Sequence, residues 1–163
     1  MEHNEGSPPT LVVARRVREL RERRGFTAQA LADKLSEQGV PWERSTVAKL
    51  ENGKRQNLTL TEWLALSVVL NVAPIHLLVP LDDDSEFQVT PRVRVPALRV
   101  RQFIRGEAPL PDADARAFYS EVPEREFEDL MGTEDAQARL QHQRILGLTG
   151  FNSDGTRKRR DDE

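Results

Sequence analysis

Residues 44–55 of the 163-residue chain read Arg-Ser-Thr-Val-Ala-Lys-Leu-Glu-Asn-Gly-Lys-Arg. Val47 and Leu50 lie three positions apart, which predicts a short helix, starting at residue 43 or 44, with one buried face. Gly53 predicts the end of this helix, because glycine readily adopts the left-handed conformation that closes a helix. Polar and basic side chains remain for the exposed faces, and two cations follow directly. This arrangement suits a duplex, whose major groove admits a helix and whose phosphates attract a basic loop.

Composition restricts the class of protein. The chain contains no cysteine, which excludes disulfides, thiolate metal sites and a cysteine nucleophile. It has no apolar run of eighteen residues and no secretory-type start, so we expect a soluble, cytoplasmic protein without a membrane segment. Up to Pro80 there are 11 basic and 9 acidic residues, a net charge of +2, whereas the remainder has 13 and 18, a net charge of −5. The short helix predicted within residues 44–55 therefore lies in the half of the chain with a net positive charge.

Four further helices are predicted around this stretch, two before it and two after it. Thr27 is the expected N-cap of the second helix. Thr59 and Glu62 fit a capping box at the start of the fourth, and Pro74 suits the first turn of the fifth. The side chains expected in the core are Val13, Val17, Leu20, Leu31, Ala32, Leu35, Trp42, Trp63, Leu66 and Leu70. The prediction is a compact five-helix domain over residues 11–80.

The remainder of the chain differs in composition from this domain. The predicted organisation is an unstructured lead-in at 1–10, the helical domain at 11–80, an acidic linker at 81–86, a C-terminal region at 87–150 and a disordered tail at 151–163. The fold class is therefore predicted to be mainly all-α.

The C-terminal region is predicted to be mostly helical. Alternating valines within residues 87–95 give a weak strand signal, and Pro91 and Pro96 restrict it to an edge strand or an extended arm. Asp112 is the expected N-cap of one short helix, and another helix opens at Thr133. Because these helices are only half apolar, we expect them to pack on another surface. We assign the region to self-association or effector sensing; the alternative is a structural cap on the N-terminal core.

Several sequence blocks carry a family resemblance. They are residues 20–27 (Leu-Arg-Glu-Arg-Arg-Gly-Phe-Thr), Leu31-Ala32, residues 45–53 (Ser-Thr-Val-Ala-Lys-Leu-Glu-Asn-Gly) and the apolar positions from Leu66 to Leu78. Together they resemble the XRE/Cro-type helix-turn-helix transcriptional regulators, which include the lambda-type phage repressors. The long segment between the second and third helices is similar to the variant common among actinobacterial regulators. The resemblance implies a lambda-repressor-like fold and binding to double-stranded DNA.

The resemblance also implies roles for particular side chains. The second helix would cross the DNA backbone, and the third would read base edges. The implied base readers are Arg44, Ser45, Thr46 and Lys49, and the implied phosphate ligands are Thr27, Gln29, Lys54 and Arg55. Arg21 and Glu51 match the family's structural pair between the first and third helices. Ala28 departs from the pattern, because the family often has its phosphate-binding glutamine there.

We therefore expect a sequence-specific DNA-binding regulator, a dimeric repressor that reads a two-fold operator. The alternative is a protein-interaction module, such as an antitoxin that also binds its own promoter. A less favoured alternative is a regulator that responds to a nucleotide second messenger. Its basis is Arg105-Gly106-Glu107 with Arg116, which resembles a cyclic-di-GMP signature, although Glu107 and Tyr119 stand where that signature has aspartates.

No catalytic set is visible in the sequence. The three histidines, His3, His76 and His142, are isolated, and no glycine-rich phosphate loop or nucleophile elbow occurs. We therefore expect no enzyme activity, no metal site and no cofactor.

Overall fold

The structure, a computed structural model, describes residues 8–131. Within this range the chain forms eight helices and one two-stranded sheet, which confirms the prediction of a mainly all-α fold. None of the described helices is both long enough and apolar enough to cross a membrane. The chain divides after Arg101 into two compact units.

Five helices make up most of the first unit. They are α1 (Pro9–Arg23), α2 (Ala28–Glu37), α3 (Arg44–Glu51), α4 (Leu60–Val69) and α5 (Pro74–Leu78). The predicted caps are present: the Thr27 hydroxyl oxygen accepts the Ala30 amide at 3.0 Å, and Thr59 with Glu62 forms a reciprocal capping box. Helix α1 begins at Pro9, two residues earlier than expected, because proline is compatible with the first helical turn.

The core of the first unit holds the apolar side chains that the sequence predicts. Buried in one cluster are Val13, Val17, Leu20, Leu31, Ala32, Leu35, Trp42, Val47, Leu50, Leu66, Leu70 and Leu77, and Trp63 packs against it. Helix α3 packs against α1 and α2, and α4 packs against α2 and α5. Each fully buried leucine or valine contributes about 1.5–3 kcal/mol, so the cluster holds α3 in one orientation.

A hairpin follows the helices in the same unit. Strands β1 (Glu86–Thr90) and β2 (Val93–Pro96) pair antiparallel, with Phe87 opposite Val95. The region expected to form an edge strand or an extended arm thus forms two paired strands, each of them an edge strand of the sheet. Pro91 lies in the turn between them, where its missing N–H removes no ladder hydrogen bond. Phe87 and Val95 are buried, and β1 contacts α1.

Because the units divide after Arg101, residues 81–86, the predicted acidic linker, lie within the first unit. Helix α6 (Ala97–Ile104) brings Arg101 to this acidic segment. The Arg101 guanidinium is buried and donates hydrogen bonds to the Pro80 carbonyl and the Asp83 carboxylate. The acidic segment and the hairpin therefore belong to the same compact unit as the five helices.

The second unit contains α7 (Ala115–Ser120) and α8 (Glu124–Met131) around an aromatic cluster. Asp114, not Asp112, caps α7, and its carboxylate accepts two backbone amides at 2.9 and 3.1 Å. Asp112 has a left-handed backbone (φ +63°), which is incompatible with a helix start. The Tyr119 ring lies edge-on to Phe127 at 6.0 Å. The predicted helix from Thr133 and tail at 151–163 lie outside the described residues, as does the lead-in before residue 8.

Candidate nucleic-acid interface

Helix α3 presents a polar and basic face to solvent. Val47 and Leu50 are fully buried against the core, and successive residues of a helix are rotated by about 100°. Ser45 and Lys49 therefore lie on the side opposite to the buried pair, and both are exposed. Arg44 is exposed at the first position of the helix. The structure thus places three of the four predicted base readers at the surface of the same short helix.

The start of α3 is polar and lacks a side-chain cap. Glu43 is the N-cap residue, but its carboxylate accepts no backbone amide of the helix. It accepts instead a hydrogen bond from the Ser45 hydroxyl at 3.3 Å. Thr46, the fourth predicted reader, is half-buried beside the exposed face. The amides of Thr46 and Val47 donate to the Glu43 backbone carbonyl, and the Glu43 carboxylate makes this helix start a poor neighbour for a phosphate.

The end of α3 is fixed by a tight turn. Gly53 has φ +68°, and a Cβ atom at this position would lie 3.1 Å from the Leu11 side chain. The backbone amides of Lys54 and Arg55 both donate to the Lys49 carbonyl, at 2.9 and 3.1 Å. The turn leaves the Lys54 side chain exposed directly after the helix. A phosphate-binding cation at this position would therefore be held on a rigid backbone.

Asn52 is a surface candidate that sequence reasoning treated only as a helix terminator. It is exposed, and it follows Lys49 by three positions and Ser45 by seven. This is the spacing of one helix face, so Asn52 extends the outward row of α3. The signal was present in the sequence, but the Asn-Gly pair also marks a helix end.

The side chain of Arg55, a predicted phosphate ligand, makes hydrogen bonds within the protein. Its Nη2 donates to Glu62 at 2.6 Å, and its Nε donates to the Asn57 carbonyl at 3.0 Å. The guanidinium also lies over the Trp42 ring, 4.7 Å from the ring centroid. Its Nη1 atom is buried, whereas the side chain as a whole is 25% exposed. These contacts anchor the loop after α3 to α4, and the role of Arg55 as a phosphate ligand stays a prediction.

Glu62 joins three parts of the domain. Its carboxylate accepts the Thr59 amide at 2.9 Å, the Trp42 indole N–H at 2.9 Å and the Arg55 guanidinium. Burial by itself would raise the pKa of Glu62, but the hydrogen bonds from these three donors and the charge of Arg55 outweigh it. The pKa of Glu62 therefore lies below its ordinary value. The folded protein thus stabilises the ionised carboxylate.

The start of α2 carries the remaining predicted phosphate ligands. Thr27 and Gln29 are both exposed. The Thr27 oxygen accepts the Ala30 amide, which leaves the hydroxyl proton free to donate to a phosphate. Gln29 donates one amide hydrogen to Asp33 at 2.8 Å. Thr27 is therefore the better placed of the two, because the carboxylate beside Gln29 would repel an anion.

Arg21 and Glu51 form a bidentate ion pair between α1 and α3. The two donor–acceptor distances are 2.6 and 2.9 Å, and the side chains are 14% and 8% exposed. Arg21 also donates to the Phe26 carbonyl at 2.8 Å. The hydrogen bonds to Glu51 raise the pKa of Arg21, although burial works in the opposite direction. This pair ties the end of α3 to α1.

Replacing Glu51 with alanine is expected to lower the free energy of unfolding by about 2 kcal/mol, because Arg21 loses its main partner in a partly desolvated site. Urea denaturation of the full chain measures this loss. Removing both residues should cost less than the sum of the single changes, with a coupling of about 1–2 kcal/mol. Glu22→Ala is the matched control, since Glu22 is exposed and lies 3.4 Å from Arg21. An equal loss in the control would contradict the role of the pair.

Comparison with known protein families finds one family that is similar to this part of the chain. A family model described as a helix-turn-helix domain matches residues 12–78. The match covers 67 of the 163 residues, and this part of the chain is similar to a helix-turn-helix domain. The match runs from α1 to α5 and places α2, the connecting segment and α3 inside it. No curated protein and no solved structure is significantly similar to the chain.

Similarity to helix-turn-helix domains indicates how the exposed face of α3 could be used. In this motif the second helix of the pair enters the major groove, and the first crosses the backbone. Here these helices are α3 and α2. No group of three potential metal ligands occurs within residues 8–131. The domain points to DNA binding through polar and basic side chains.

Proposed function

We propose that the chain is a sequence-specific transcriptional regulator of the XRE/Cro type, a dimeric repressor that reads a two-fold operator. The observation that carries the proposal is the exposed polar and basic face of α3 within a helix-turn-helix domain. A single short helix contacts only a few base pairs, so specificity calls for two copies on two half-sites.

In this proposal the exposed face of α3 lies against the bases. Arg44 and Lys49 donate to guanine O6 and N7, and the Ser45 hydroxyl serves several base edges. Thr46 lies between base and backbone. The two cations are well suited to this role, because the described structure shows no acidic side chain paired with either.

The proposed phosphate contacts lie on either side of the exposed face of α3. Lys54 anchors the loop after α3, and Thr27 anchors the start of α2, with Gln29 beside it. Arg55 acts indirectly, by holding the loop that presents Lys54. We assign residues 87–150 to self-association or effector sensing; the aromatic cluster around Tyr119 supports this for the part of the region that lies in the second unit, after Arg101.

Lys54→Ala is expected to weaken binding to every duplex by a similar factor. Each phosphate contact releases counterions, so the slope of log affinity against log salt should fall by about one. Fluorescence anisotropy with two unrelated duplexes over a salt series measures both quantities. Arg18→Ala is the control, because Arg18 is exposed on α1 and paired with Glu22 at 3.1 Å. A change confined to one duplex would assign Lys54 to base reading instead.

Selection of bound sites from a random duplex pool tests the proposed function directly. The full chain should enrich an inverted repeat, and the Arg44→Ala/Lys49→Ala protein should enrich no motif. A single unrepeated motif from the wild-type chain would contradict the dimeric arrangement. The absence of any motif would contradict sequence-specific recognition.

A further inference from the structure

Helix α4 carries apolar side chains on every face. Residues 60–69 read Leu-Thr-Glu-Trp-Leu-Ala-Leu-Ser-Val-Val, and the single charged residue, Glu62, is committed to Thr59, Trp42 and Arg55. A surface helix ordinarily has polar side chains opposite its buried face. On α4 the side away from the core exposes a single polar side chain, Thr61, beside three apolar ones.

Three exposed apolar side chains form a row on the outer side of α4. Leu60, Leu64 and Val68 follow one another at intervals of four residues and are 74%, 49% and 66% exposed. Residues at this spacing are neighbours on a helix surface, so the row spans about 12 Å without interruption by a charge. We call these three residues the α4 stripe. Isolated exposed leucines are common, whereas a continuous apolar row on one helix face is a candidate interaction surface.

We propose that the α4 stripe is a homotypic docking surface, which packs against the same stripe of a second copy. This inference rests on the proposed function, because two reading helices on a two-fold operator require a two-fold contact between copies. In a two-fold contact the same surface of the two copies is paired, so this surface must complement itself. An apolar, uncharged stripe complements itself, whereas the outer face of α1 exposes both arginines and glutamates and would have to align opposite charges.

The size of the stripe determines the strength of the contact. Three side chains of this exposure offer a few hundred Å², well below the roughly 800 Å² per partner of a stable interface. The stripe therefore supports a weak dimer in solution. Two copies bound to adjacent half-sites have a high effective concentration, so the same contact produces cooperative binding on DNA.

The absence of cysteine from the chain permits a clean test. Leu64 is the central residue of the stripe and lies nearest to the two-fold axis of an antiparallel or crossed contact. The full chain with Leu64→Cys should form a disulfide-linked dimer at micromolar concentration, because the two thiols can approach closely. Leu81→Cys is the matched control, since Leu81 is 53% exposed and lies outside α4. Equal dimer formation by both variants would overturn the proposal.

Two variants with opposite charges at residue 64 distinguish contact between two copies of the chain from contact with another partner. Leu64→Lys and Leu64→Glu should each weaken self-association by about tenfold or more, measured by sedimentation, because like charges meet at the axis. An equimolar mixture of the two should restore it. If the mixture does not recover, the stripe contacts the chain's own C-terminal segment or another protein, and the proposal fails.

The outcome is distinguishable from failure of the proposed function. In the duplex selection, Leu64→Lys should retain the half-site but lose the inverted repeat. An inverted repeat retained by this variant would overturn the docking role of the stripe and leave DNA recognition intact. If Leu64→Cys cross-linked but the wild-type chain enriched no motif, the docking role of the stripe would stand and sequence-specific DNA recognition would be contradicted.

Discussion

Replacing Glu62 with alanine is expected to lower the free energy of unfolding by about 4 kcal/mol. The change removes the acceptor of the Thr59 amide, which costs the capping box of α4. It also leaves the Trp42 indole N–H without an acceptor and Arg55 without its carboxylate, at donor distances of 2.9 and 2.6 Å. The Arg55 side chain is only 25% exposed, so water replaces the lost carboxylate incompletely.

Urea denaturation of the full chain measures this effect. Glu37→Ala provides the control, because Glu37 is an exposed acid at the end of α2 and should change stability by no more than about 0.5 kcal/mol. A loss below about 1 kcal/mol for Glu62→Ala would show that the hydrogen bonds of Glu62 contribute little net free energy.

The depressed pKa of Glu62 predicts a pH dependence of the same comparison. A carboxyl group whose pKa is lower in the folded state contributes stability above its unfolded pKa, about 4.3, and loses that contribution as pH falls through the folded value. Wild type should therefore exceed Glu62→Gln in stability at neutral pH, and the difference should shrink below about pH 4.3. A difference that stays constant down to pH 2 would contradict the ionised role of Glu62.

Removing both cations of the α3 face is expected to abolish base preference. Each bidentate contact between a cationic side chain and a guanine contributes about 1–3 kcal/mol of discrimination. The Arg44→Ala/Lys49→Ala protein should therefore lose about 4 kcal/mol for the selected site, roughly a thousandfold, and much less for an unrelated duplex. Both side chains are exposed and outside the core, so the fold should be retained.

Titration of the selected duplex and of a scrambled duplex at one salt concentration measures this loss. Lys54→Ala is the comparison that sharpens it, because a phosphate contact should weaken both duplexes alike. If the double change also weakened both duplexes equally, Arg44 and Lys49 would be phosphate ligands, and the division between readers and anchors would be wrong.

Helix starts and the core of the first unit could be predicted from the sequence. The Thr27 cap, the capping box of Thr59 and Glu62, and Pro74 at the first turn of α5 are interactions between residues a few positions apart. Their geometry follows from the helix itself, so the sequence pattern was sufficient. The apolar spacing of Val47 and Leu50 likewise determined which face of α3 is buried.

Asp112 shows the limit of such local reasoning. Asp112 and Asp114 are both competent N-caps, and only the backbone conformation distinguishes them: a left-handed residue at 112 precedes the cap at 114. Pro91 and Pro96 likewise suggested an edge strand or an extended arm at residues 87–95, although Pro91 in a turn is compatible with a hairpin.

What the sequence by itself determined is the helix-turn-helix arrangement and the polar face of α3, because short-range spacing and apolar periodicity specify both. Only the tertiary structure shows the contacts of Arg55. In the sequence it is a second cation beside Lys54, but packing brings Glu62 of α4 and the Trp42 ring to its guanidinium. Exposure of the α4 stripe is also a tertiary property, since leucine and valine occur equally in a core. Both depend on which distant side chains meet, and local sequence patterns do not encode those contacts.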